Sequence, residues 1–392
     1  MTADLVPGTL ARACAEVRAA GPDDAVAGVG ARFVACPGDV AEAAAVLRAA
    51  ADEGLTAVPR GAGTRLAWGC PPDRCDLVID TRGLNQVLEH AAGDLVVRVQ
   101  AGVGLSQLAG VLAAAGQRLA LDPPAPASGN GQRDGTVGGV LACGVAGPLR
   151  LRYGTPRDLA IGITVVRADG TVSRSGGKVV KNVAGYDLGK LFAGSYGTLG
   201  LIVEAAFRLH PLPGAISFVT LDAADAAAAA PRPHQEGGSG DTEAPDGTVI
   251  RIGFWAEALA GVLEAVDAAA SDAGLDPVVG GSAAAGVIHV AVGEDAPADA
   301  VARLVGGLRA ALGGPSAAPA AAAELAEFAG TGGPAPAASP SWASAVVLHA
   351  PAEVRAAVDL WGPVPALGLM RAVKDQFDPG HRMAPGRFAG GI

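Results

Sequence analysis

A glycine-rich turn follows an apolar run near residue 58 and has the composition of a phosphate-binding loop. Its residues are Pro59-Arg60-Gly61-Ala62-Gly63-Thr64. Glycines allow successive backbone N–H groups to point into one concavity, which suits an anion such as a pyrophosphate. The Arg60 guanidinium and the Thr64 hydroxyl can add donors. A purely structural turn has the same composition, so this segment alone leaves both interpretations open.

The spacing of the glycines does not match two well-known types of phosphate-binding loop. A Walker loop ends in Gly-Lys-Ser/Thr, whereas Gly63 is followed by Thr64-Arg65. The dinucleotide fingerprint needs a third glycine, but Phe33 stands there after Gly28-Val29-Gly30. We therefore do not expect a Rossmann domain that binds a nicotinamide cofactor.

A second glycine-rich segment is Gly135-Thr136-Val137-Gly138-Gly139-Val140-Leu141, followed by Gly144 and Gly147. Thr136 can cap a helix whose first turn contains two glycines. A ligand can then lie against bare backbone at the positive end of that helix. Tight packing of a helix on a sheet also calls for glycine, so this alternative stays open.

A third segment runs from Arg152 to Pro211 and gathers residues that are rare elsewhere in the chain. It holds all three tyrosines and three of the four lysines, namely Tyr153, Tyr186, Tyr196, Lys178, Lys181 and Lys190. The turn Gly194-Ser195-Tyr196-Gly197-Thr198-Leu199-Gly200 then leads into an apolar run. Such a turn permits a planar ring system to approach the backbone closely.

Apolar periodicity predicts the elements that must position these segments. Helices are predicted over Asp39–Asp52 and Leu105–Ala115, and strands over Leu55–Val58, Asp76–Asp80, Leu95–Val99 and Leu199–Leu209. Ile161–Arg167 and Thr171–Arg174 flank Asp169-Gly170, a pair typical of a hairpin turn. The predicted class is α+β with mixed sheets, and not a regular doubly wound repeat.

Composition and charge limit the class of partner. The formal charge of −10 over 392 residues argues against a nucleic-acid partner, because phosphate backbones need a basic face. Neither a signal peptide nor an apolar run long enough to span a membrane is apparent, so we expect a cytoplasmic location. The five cysteines, at positions 14, 36, 70, 75 and 143, favour free thiols. We expect no metal site and no iron–sulfur cluster.

Two stretches rich in alanine, proline and glycine divide the chain. They are residues 226–247 and 313–341, the second interrupted by a possible helix over Ala321–Phe328. Their composition predicts loops or disorder.

The three glycine-rich segments, in this order and roughly this spacing, resemble the FAD-binding domain of the vanillyl-alcohol-oxidase family. The matching stretches are PRGAGTRLAWG, GTVGGVLACGVAGPLRLRYGTPRDLAIGITVVRADG and GGKVVKNVAGYDLGKLFAGSYGTLGLIVEAAFRLHP, together with the tail VKDQFDPGHRMAPGR. The likeness is strongest to the group of FAD-binding subunits of bacterial glycolate-oxidase complexes. It covers about residues 28–213 and 370–388.

The resemblance implies a two-lobed PCMH-type FAD-binding domain over residues 28–213, with the break between lobes near Asp122-Pro123-Pro124. It implies a reduced, alanine-rich α/β cap domain over residues 214–345. Residues 346–392 would form a C-terminal segment that packs back on the FAD domain.

The resemblance also implies roles for individual residues. The pyrophosphate would be held by Arg60, Gly61, Ala62, Gly63 and Thr64. Thr136, Gly138 and Gly139 would lie along the ribityl chain and flavin. Gly144 and Gly147 would shape the same wall. Gly200 and Ile202 would approach the adenine end through backbone groups.

Departures from the family pattern bear on the flavin linkage. Members with covalent flavin often carry a histidine at the first glycine loop, but here Thr64-Arg65 stands there, so we expect FAD to be bound non-covalently. Cys143 is the conceivable thioether site, although a buried apolar role is the favoured interpretation. Ala384 replaces a common asparagine of the tail, so one polar contact near the flavin would be lost.

Oxidising a 2-hydroxy acid needs a base, cations for the carboxylate and a carbon facing the flavin. The six histidines, at positions 90, 210, 234, 289, 349 and 381, suggest no shared metal site, and no catalytic residue is assigned. The favoured interpretation is an FAD-binding subunit of a glycolate-oxidase-like complex, which converts glycolate to glyoxylate. The chemistry would lie mainly on a partner flavin subunit, beside an iron–sulfur subunit, and any membrane contact would be made through these partners.

Two alternatives stay open. The first is a self-sufficient FAD oxidoreductase acting on another small hydroxy compound. Its anionic substrate would be held by Arg150, Arg152, Lys178, Lys181 and Tyr186. The second is a scaffold subunit without bound cofactor, in which the glycine segments persist as architecture.

Overall fold

The protein is described here by a computed structural model that covers residues 6–123, 135–177, 187–214, 247–313 and 343–392. The chain forms two compact units. The first contains residues Met1–Ala215 and Val364–Ile392, and the second contains Ile216–Pro363. The domain limits predicted above, at residues 28, 213, 345 and 346, stay a prediction.

Helices and strands alternate irregularly along the described ranges. The α-helices are α1 (Gly8–Ala11), α2 (Val40–Asp52), α3 (Leu105–Ala113), α4 (Val137–Cys143), α5 (Arg150–Tyr153), α6 (Pro156–Leu159), α7 (Leu259–Ala273), α8 (Ala298–Leu312), α9 (Ala352–Ala357) and α10 (Leu367–Phe377). The strands are β1 (Val17–Ala19), β2 (Phe33–Ala35), β3 (Ala57–Arg60), β4 (Leu77–Asp80), β5 (Val87–Ala91), β6 (Val96–Gln100), β7 (Gln117–Arg118), β8 (Ala160–Val166), β9 (Val172–Gly176), β10 (Leu201–Arg208), β11 (His210–Pro211), β12 (Thr248–Phe254), β13 (Val278–Ser282), β14 (Val287–Val292) and β15 (Ala343–His349).

The first sheet of unit 1 has the order β1-β2-β4-β3, in which β2, β4 and β3 are parallel. Asp39 caps helix α2, and its carboxylate accepts the Glu42 N–H at 2.8 Å. Its apolar face contributes Leu47 to a core that includes Phe33 of β2. The parallel arrangement brings the carboxyl ends of β3 and β4 side by side, with Arg60 paired to Asp80. The first glycine loop therefore leaves the sheet beside Asp80.

The second sheet of unit 1 is antiparallel, with the order β5-β6-β10-β8-β9. The central strand β10 is buried over seven of its eight residues, and its Phe207 packs in a core with Leu108 of α3 and Leu141 of α4. The predicted hairpin is confirmed, since β8 and β9 are joined by a turn in which Gly170 has a φ of 79°. The α+β class with mixed parallel and antiparallel sheets is likewise confirmed.

The C-terminal residues of unit 1 return to the first sheet. The Ala57 N–H donates to the Arg382 carbonyl at 2.8 Å, and the Ala384 N–H donates to the Ala57 carbonyl at 2.8 Å. The tail therefore extends this sheet beside β3, with Met383 opposite Ala57 in parallel register.

Unit 2 is built on an antiparallel sheet with the order β13-β14-β12-β15. Helices α7 and α8 supply buried residues such as Val266 and Leu304. The predicted inserts lie outside the described residues, except for Gly247 and Gly313 at their ends, and so does the predicted helix Ala321–Phe328. Within the described ranges, the helices are all too short or too polar to cross a bilayer.

Candidate functional site

Unit 1 contains a cavity of about 750 Å³, its open mouth included, where the three glycine-rich segments meet. Ten of the twelve residues predicted for cofactor binding line it, namely Arg60, Gly61, Ala62, Gly63, Thr64, Thr136, Gly138, Gly139, Gly200 and Ile202. The other described lining residues are Pro59, Arg65, Leu66, Thr81, Ala101, Ala142, Cys143, Tyr196, Gly197, Leu201 and Arg387. Segments far apart in sequence thus form one wall.

The first glycine loop presents unused backbone donors to this cavity. Within the described part of the chain, the N–H groups of Gly61, Ala62, Gly63 and Thr64 donate no hydrogen bond to another protein group. Gly63 has a φ of 78°, a conformation in which a side chain would be strained. Four consecutive free amides beside a cavity form the kind of nest that binds anionic oxygens.

The first loop lies directly against the second glycine segment. A β-carbon added to Gly61 would lie 2.1 Å from Thr136 Oγ1 and 3.2 Å from the Thr136 β-carbon. An alanine at position 61 would not fit unless Thr136 or the loop moved. The glycine at position 61 is therefore required by close packing.

Helix α4 uses its first N–H groups within the protein. Gly138 donates to the Ala101 carbonyl at 2.8 Å, and Val137 donates to the Val103 carbonyl at 3.0 Å. Gly139 donates to the Thr136 hydroxyl at 3.2 Å. The N–H groups of these three residues are therefore not free to donate to an anion at this end of the helix. Thr136, Gly138 and Gly139 line the cavity as a close, small-residue surface instead.

The Arg60 side chain is committed to two buried carboxylates. Its guanidinium donates to Asp24 Oδ1 at 2.9 Å and to Asp80 Oδ2 at 2.9 Å, with only 10% of the side chain exposed. Hydrogen bonds from Arg18, then from Gly21 and Arg60, hold the pKa of Asp24 well below its usual range. Arg60 therefore fastens the start of the loop to the sheet, and its charge is already matched within the protein.

The third segment is held by the C-terminal helix. The fully buried Lys374 of α10 donates to the Thr198 carbonyl at 2.7 Å, to Asp378 Oδ2 at 2.7 Å and to the Met383 carbonyl at 2.8 Å. Thr198 lies between Gly197 and Gly200, both of which line the cavity. One ammonium group thus fixes the cavity turn and the returning tail together.

Two predicted site glycines lie outside the cavity lining. Gly144 ends helix α4 with a φ of 64°. A β-carbon on Gly147 would lie 2.2 Å from the Asp122 carbonyl oxygen, and its N–H donates to Asp122 Oδ1 at 3.0 Å. Both glycines shape the backbone that follows α4, and neither belongs to the described lining.

Arg387 lines the cavity from the tail and is not among the residues predicted for cofactor binding. This residue is 3% exposed, and its guanidinium donates to the carbonyl oxygens of Leu66 at 2.9 Å, Trp68 at 2.7 Å and Cys70 at 3.4 Å. It thereby ties the tail to the segment that follows the first glycine loop. Position 387 is more than 300 residues from that segment, so no local pattern could reveal the contact.

Ala384 is a core residue of the tail. It is completely buried in a core cluster with Val58 and Val78, outside the cavity lining. Its φ is 43°, a left-handed conformation that asparagine tolerates better than alanine. The lost polar contact near the flavin stays a prediction, and the structure adds that this position has a left-handed backbone.

Cys143 does line the cavity, and it is half-buried there. Burial raises the pKa of the Cys143 thiol, while Arg65 and Arg387 oppose this rise. A neutral thiol is a poor nucleophile at neutral pH. Within the described ranges, clusters of three or more histidine, cysteine or acidic residues suitable for a metal ion are absent.

The alternative of a self-sufficient oxidoreductase requires cations that hold an anionic substrate, and the described candidates, Arg150 and Arg152, do not line the cavity. Arg152 stacks on Tyr153 with its guanidinium carbon 5.4 Å from the ring centroid, and neither Arg150 nor Arg152 belongs to the lining. The remaining candidates, Lys178, Lys181 and Tyr186, lie outside the described residues.

Comparison with known proteins agrees with the geometry of this site. Residues 31–176 match the family model described as an FAD binding domain. The chain contains a PCMH-type FAD-binding domain. The predicted resemblance and the predicted cofactor, FAD, are thereby confirmed.

The curated relatives carry oxidase and dehydrogenase names. The chain is 38% identical over 180 residues to glycolate oxidase subunit GlcD of Bacillus subtilis, which is 46% of this chain and 37% of the relative. It is 37% identical over 137 residues to glycolate oxidase subunit GlcE of Escherichia coli, covering 35% and 38%. It is 36% identical over 175 residues to a D-lactate dehydrogenase of Archaeoglobus fulgidus, covering 45% and 38%. The match thus spans less than two-fifths of each relative, and the shared part belongs to FAD-binding oxidoreductases.

Proposed function

We propose that the chain binds FAD non-covalently in the cavity and serves a complex that oxidises a 2-hydroxy acid. The observation that carries this proposal is the row of four unused amides at Gly61–Thr64 on the cavity wall. The two phosphate groups of FAD would accept hydrogen bonds from these amides, because backbone N–H groups stabilise anionic oxygens without a counter-charge.

The neighbouring residues would shape the rest of the cofactor site. Gly138 and Gly139 line the cavity without side chains, so a ribityl chain and ring would lie directly against their backbone. Gly200 and Ile202 also line the cavity and would lie near the adenine end. When bound, FAD supplies a two-electron acceptor for a hydride from the substrate carbon.

A non-covalent linkage is supported by the chemistry of the lining. The described lining contains no histidine, and its only thiol, Cys143, has a raised pKa. A covalent bond to the flavin needs a nucleophile that is ionised or readily deprotonated. We therefore infer that the cofactor is released when the protein unfolds.

The substrate class is inferred from the relatives, whose names refer to glycolate, D-lactate and D-2-hydroxyglutarate. We propose glycolate, oxidised to glyoxylate. The described cavity lining holds neither a histidine nor a carboxylate, which are the usual bases for a substrate hydroxyl. This favours chemistry on a partner flavin subunit, with an iron–sulfur subunit as electron relay. The complex would be cytoplasmic, and any membrane contact would be made by the partners.

The test compares the purified chain alone with the chain mixed with its partner subunits. We expect FAD in the isolated chain but no bleaching of the flavin by glycolate under anaerobic conditions. Addition of the partners should restore glycolate oxidation. Oxidation by the isolated chain at the rate of the complex would contradict the subunit role and leave the FAD site intact.

A further inference from the structure

Arg387 and Arg60 both line the cavity, but they differ in how their positive charge is neutralised. Arg60 is neutralised by Asp24 and Asp80. Arg387 meets only carbonyl oxygens, those of Leu66, Trp68 and Cys70, and within the described part of the chain it forms no ion pair with a carboxylate. A full positive charge therefore lies in the cavity wall without a counter-charge.

Such a charge is costly to bury. The guanidinium is 3% exposed, and burial lowers the pKa of Arg387. Arginine nevertheless stays protonated in proteins, so this cost cannot be avoided by losing a proton. An uncompensated buried ion is strongly destabilising unless a partner of opposite charge is present.

The Arg387 guanidinium also has N–H groups without an acceptor in the described structure. Of its five N–H groups, three have carbonyl acceptors in the described structure. The lining described above contains no aspartate or glutamate that could accept from the other two. Arg387 thus brings to the cavity lining a charge and two N–H donors that no described acidic residue of the lining matches, and both suit an anionic ligand.

We propose that Arg387 supplies the counter-charge for a negative group of the bound cofactor. This inference rests on the proposed function, since it takes FAD as the ligand. FAD has two sources of negative charge, the pyrophosphate and the ring in its reduced, anionic form. In either case the C-terminal tail completes the cofactor site electrostatically, from outside the matched FAD-binding segment of residues 31–176.

The test uses neutral and charged replacements of one side chain in the full chain. Arg387→Met removes charge and donors, whereas Arg387→Gln removes the charge but keeps an amide that can donate to Leu66 and Trp68. Arg387→Lys keeps the charge. If Arg387→Met does not fold, the comparison of Gln with Lys carries the test. The measured quantities are the dissociation constants of oxidised FAD and of ADP, and the two-electron midpoint potential of the bound flavin.

If the pyrophosphate is the partner, both neutral variants should bind oxidised FAD and ADP at least tenfold more weakly, while Arg387→Lys stays within a few-fold of wild type. If the reduced ring is the partner, affinity for oxidised FAD should persist. Preference for the reduced form should then fall at least tenfold, which corresponds to about 30 mV for a two-electron couple.

Arg309→Met is the matched control. Arg309 is a partly buried arginine of unit 2 that also donates to backbone carbonyls, those of Ala345 and Leu360. It should change neither FAD affinity nor potential. A folded Arg387→Gln variant with wild-type affinity and potential would overturn the inference. A wild-type chain that takes up no FAD would instead overturn the proposed function itself.

Discussion

Gly61 and Thr136 lie so close that a β-carbon on Gly61 would be 2.1 Å from the Thr136 hydroxyl oxygen. The two residues belong to different glycine-rich segments, 75 positions apart in the sequence, and both line the cavity. Their contact joins the row of free amides to the start of helix α4. The cavity therefore depends on a glycine at position 61 for its shape.

Replacing Gly61 with alanine should separate these two backbones. Rotating the Thr136 side chain away would break the hydrogen bond that its hydroxyl accepts from the Gly139 N–H, and the Thr136 β-carbon would still lie 3.2 Å from the new methyl group. We expect Gly61→Ala to weaken FAD binding at least tenfold, as measured by flavin fluorescence during titration. Gly110→Ala is the control, because Gly110 lies on helix α3 with nothing near its missing β-carbon. That change should keep FAD affinity and raise stability by about 0.5–1 kcal/mol. Wild-type affinity of Gly61→Ala would show that the contact does not shape the site.

Replacing Arg60 tests its role as a structural anchor. In Arg60→Met, Asp24 keeps its ion pair with Arg18 and Asp80 keeps its ion pair with Arg82. We therefore expect the free energy of unfolding to fall by about 3 kcal/mol, the lower end of the range for breaking a buried ion pair. Urea unfolding measures this change. The control Arg303→Met removes an exposed pair on helix α8 and should leave unfolding unchanged. A stable Arg60→Met protein with strongly reduced FAD affinity would indicate that Arg60 contacts the cofactor instead.

The same carboxylates predict sensitivity to acid. Hydrogen bonds from Arg18 lower the pKa of Asp24. Burial alone would raise the pKa of Asp80, but hydrogen bonds from Arg82 and Arg60 outweigh burial and the pKa is lowered. Below their ordinary value of 3.8, the unfolded chain binds more protons than the folded chain. The contribution of these two carboxylates to stability should therefore be fully present above about pH 5 and be lost as the pH drops through 4.

This acid dependence is measured by urea unfolding at a series of pH values between 3 and 7. The slope below pH 4 should be smaller in Arg60→Met, because part of the pKa depression is gone. An identical slope in the two proteins would contradict the assignment of this acid sensitivity to the Arg60 cluster.

The stability of the protein should depend on the buried ion pair Lys374–Asp378. Both side chains are at most 1% exposed, and their N–O distance is 2.7 Å. Lys374→Met leaves Asp378 as an unpaired buried charge, so we expect a loss of about 3–5 kcal/mol. The double variant Lys374→Met with Asp378→Asn should be more stable than the single variant, which thermal unfolding can show. A double variant that is equally or less stable would mean that the carboxylate charge is not the source of the loss.

Much of the first unit follows from local patterns. Strand β10 was predicted over Leu199–Leu209 and runs over Leu201–Arg208, because a continuous apolar run is needed in a strand buried on both faces. Helix α2 was predicted over Asp39–Asp52 and has its cap at Asp39, where a short acidic side chain satisfies a free N–H. Glycine loops are visible in sequence because few other residues adopt their backbone conformation.

The partners of charged residues were not predictable in the same way. Arg60 and Arg387 are both arginines beside glycine-rich segments, yet Arg60 is neutralised by carboxylates and Arg387 is not. This difference depends on residues that are distant in sequence, such as Asp24 for Arg60 and Leu66 for Arg387. Likewise, only the packing of Gly147 on Asp122 distinguishes a backbone glycine from a lining one.

The central claim is that the cavity holds FAD without a covalent bond, and a visible absorption spectrum of the natively purified chain tests it most directly. The spectrum is recorded again after acid precipitation and after incubation with added FAD. We predict a yellow protein whose flavin passes entirely into the supernatant on precipitation. Colour that stays with the pellet would contradict the non-covalent linkage, with Cys143 as the first residue to replace. A colourless protein that takes up no added FAD would contradict the cofactor site itself.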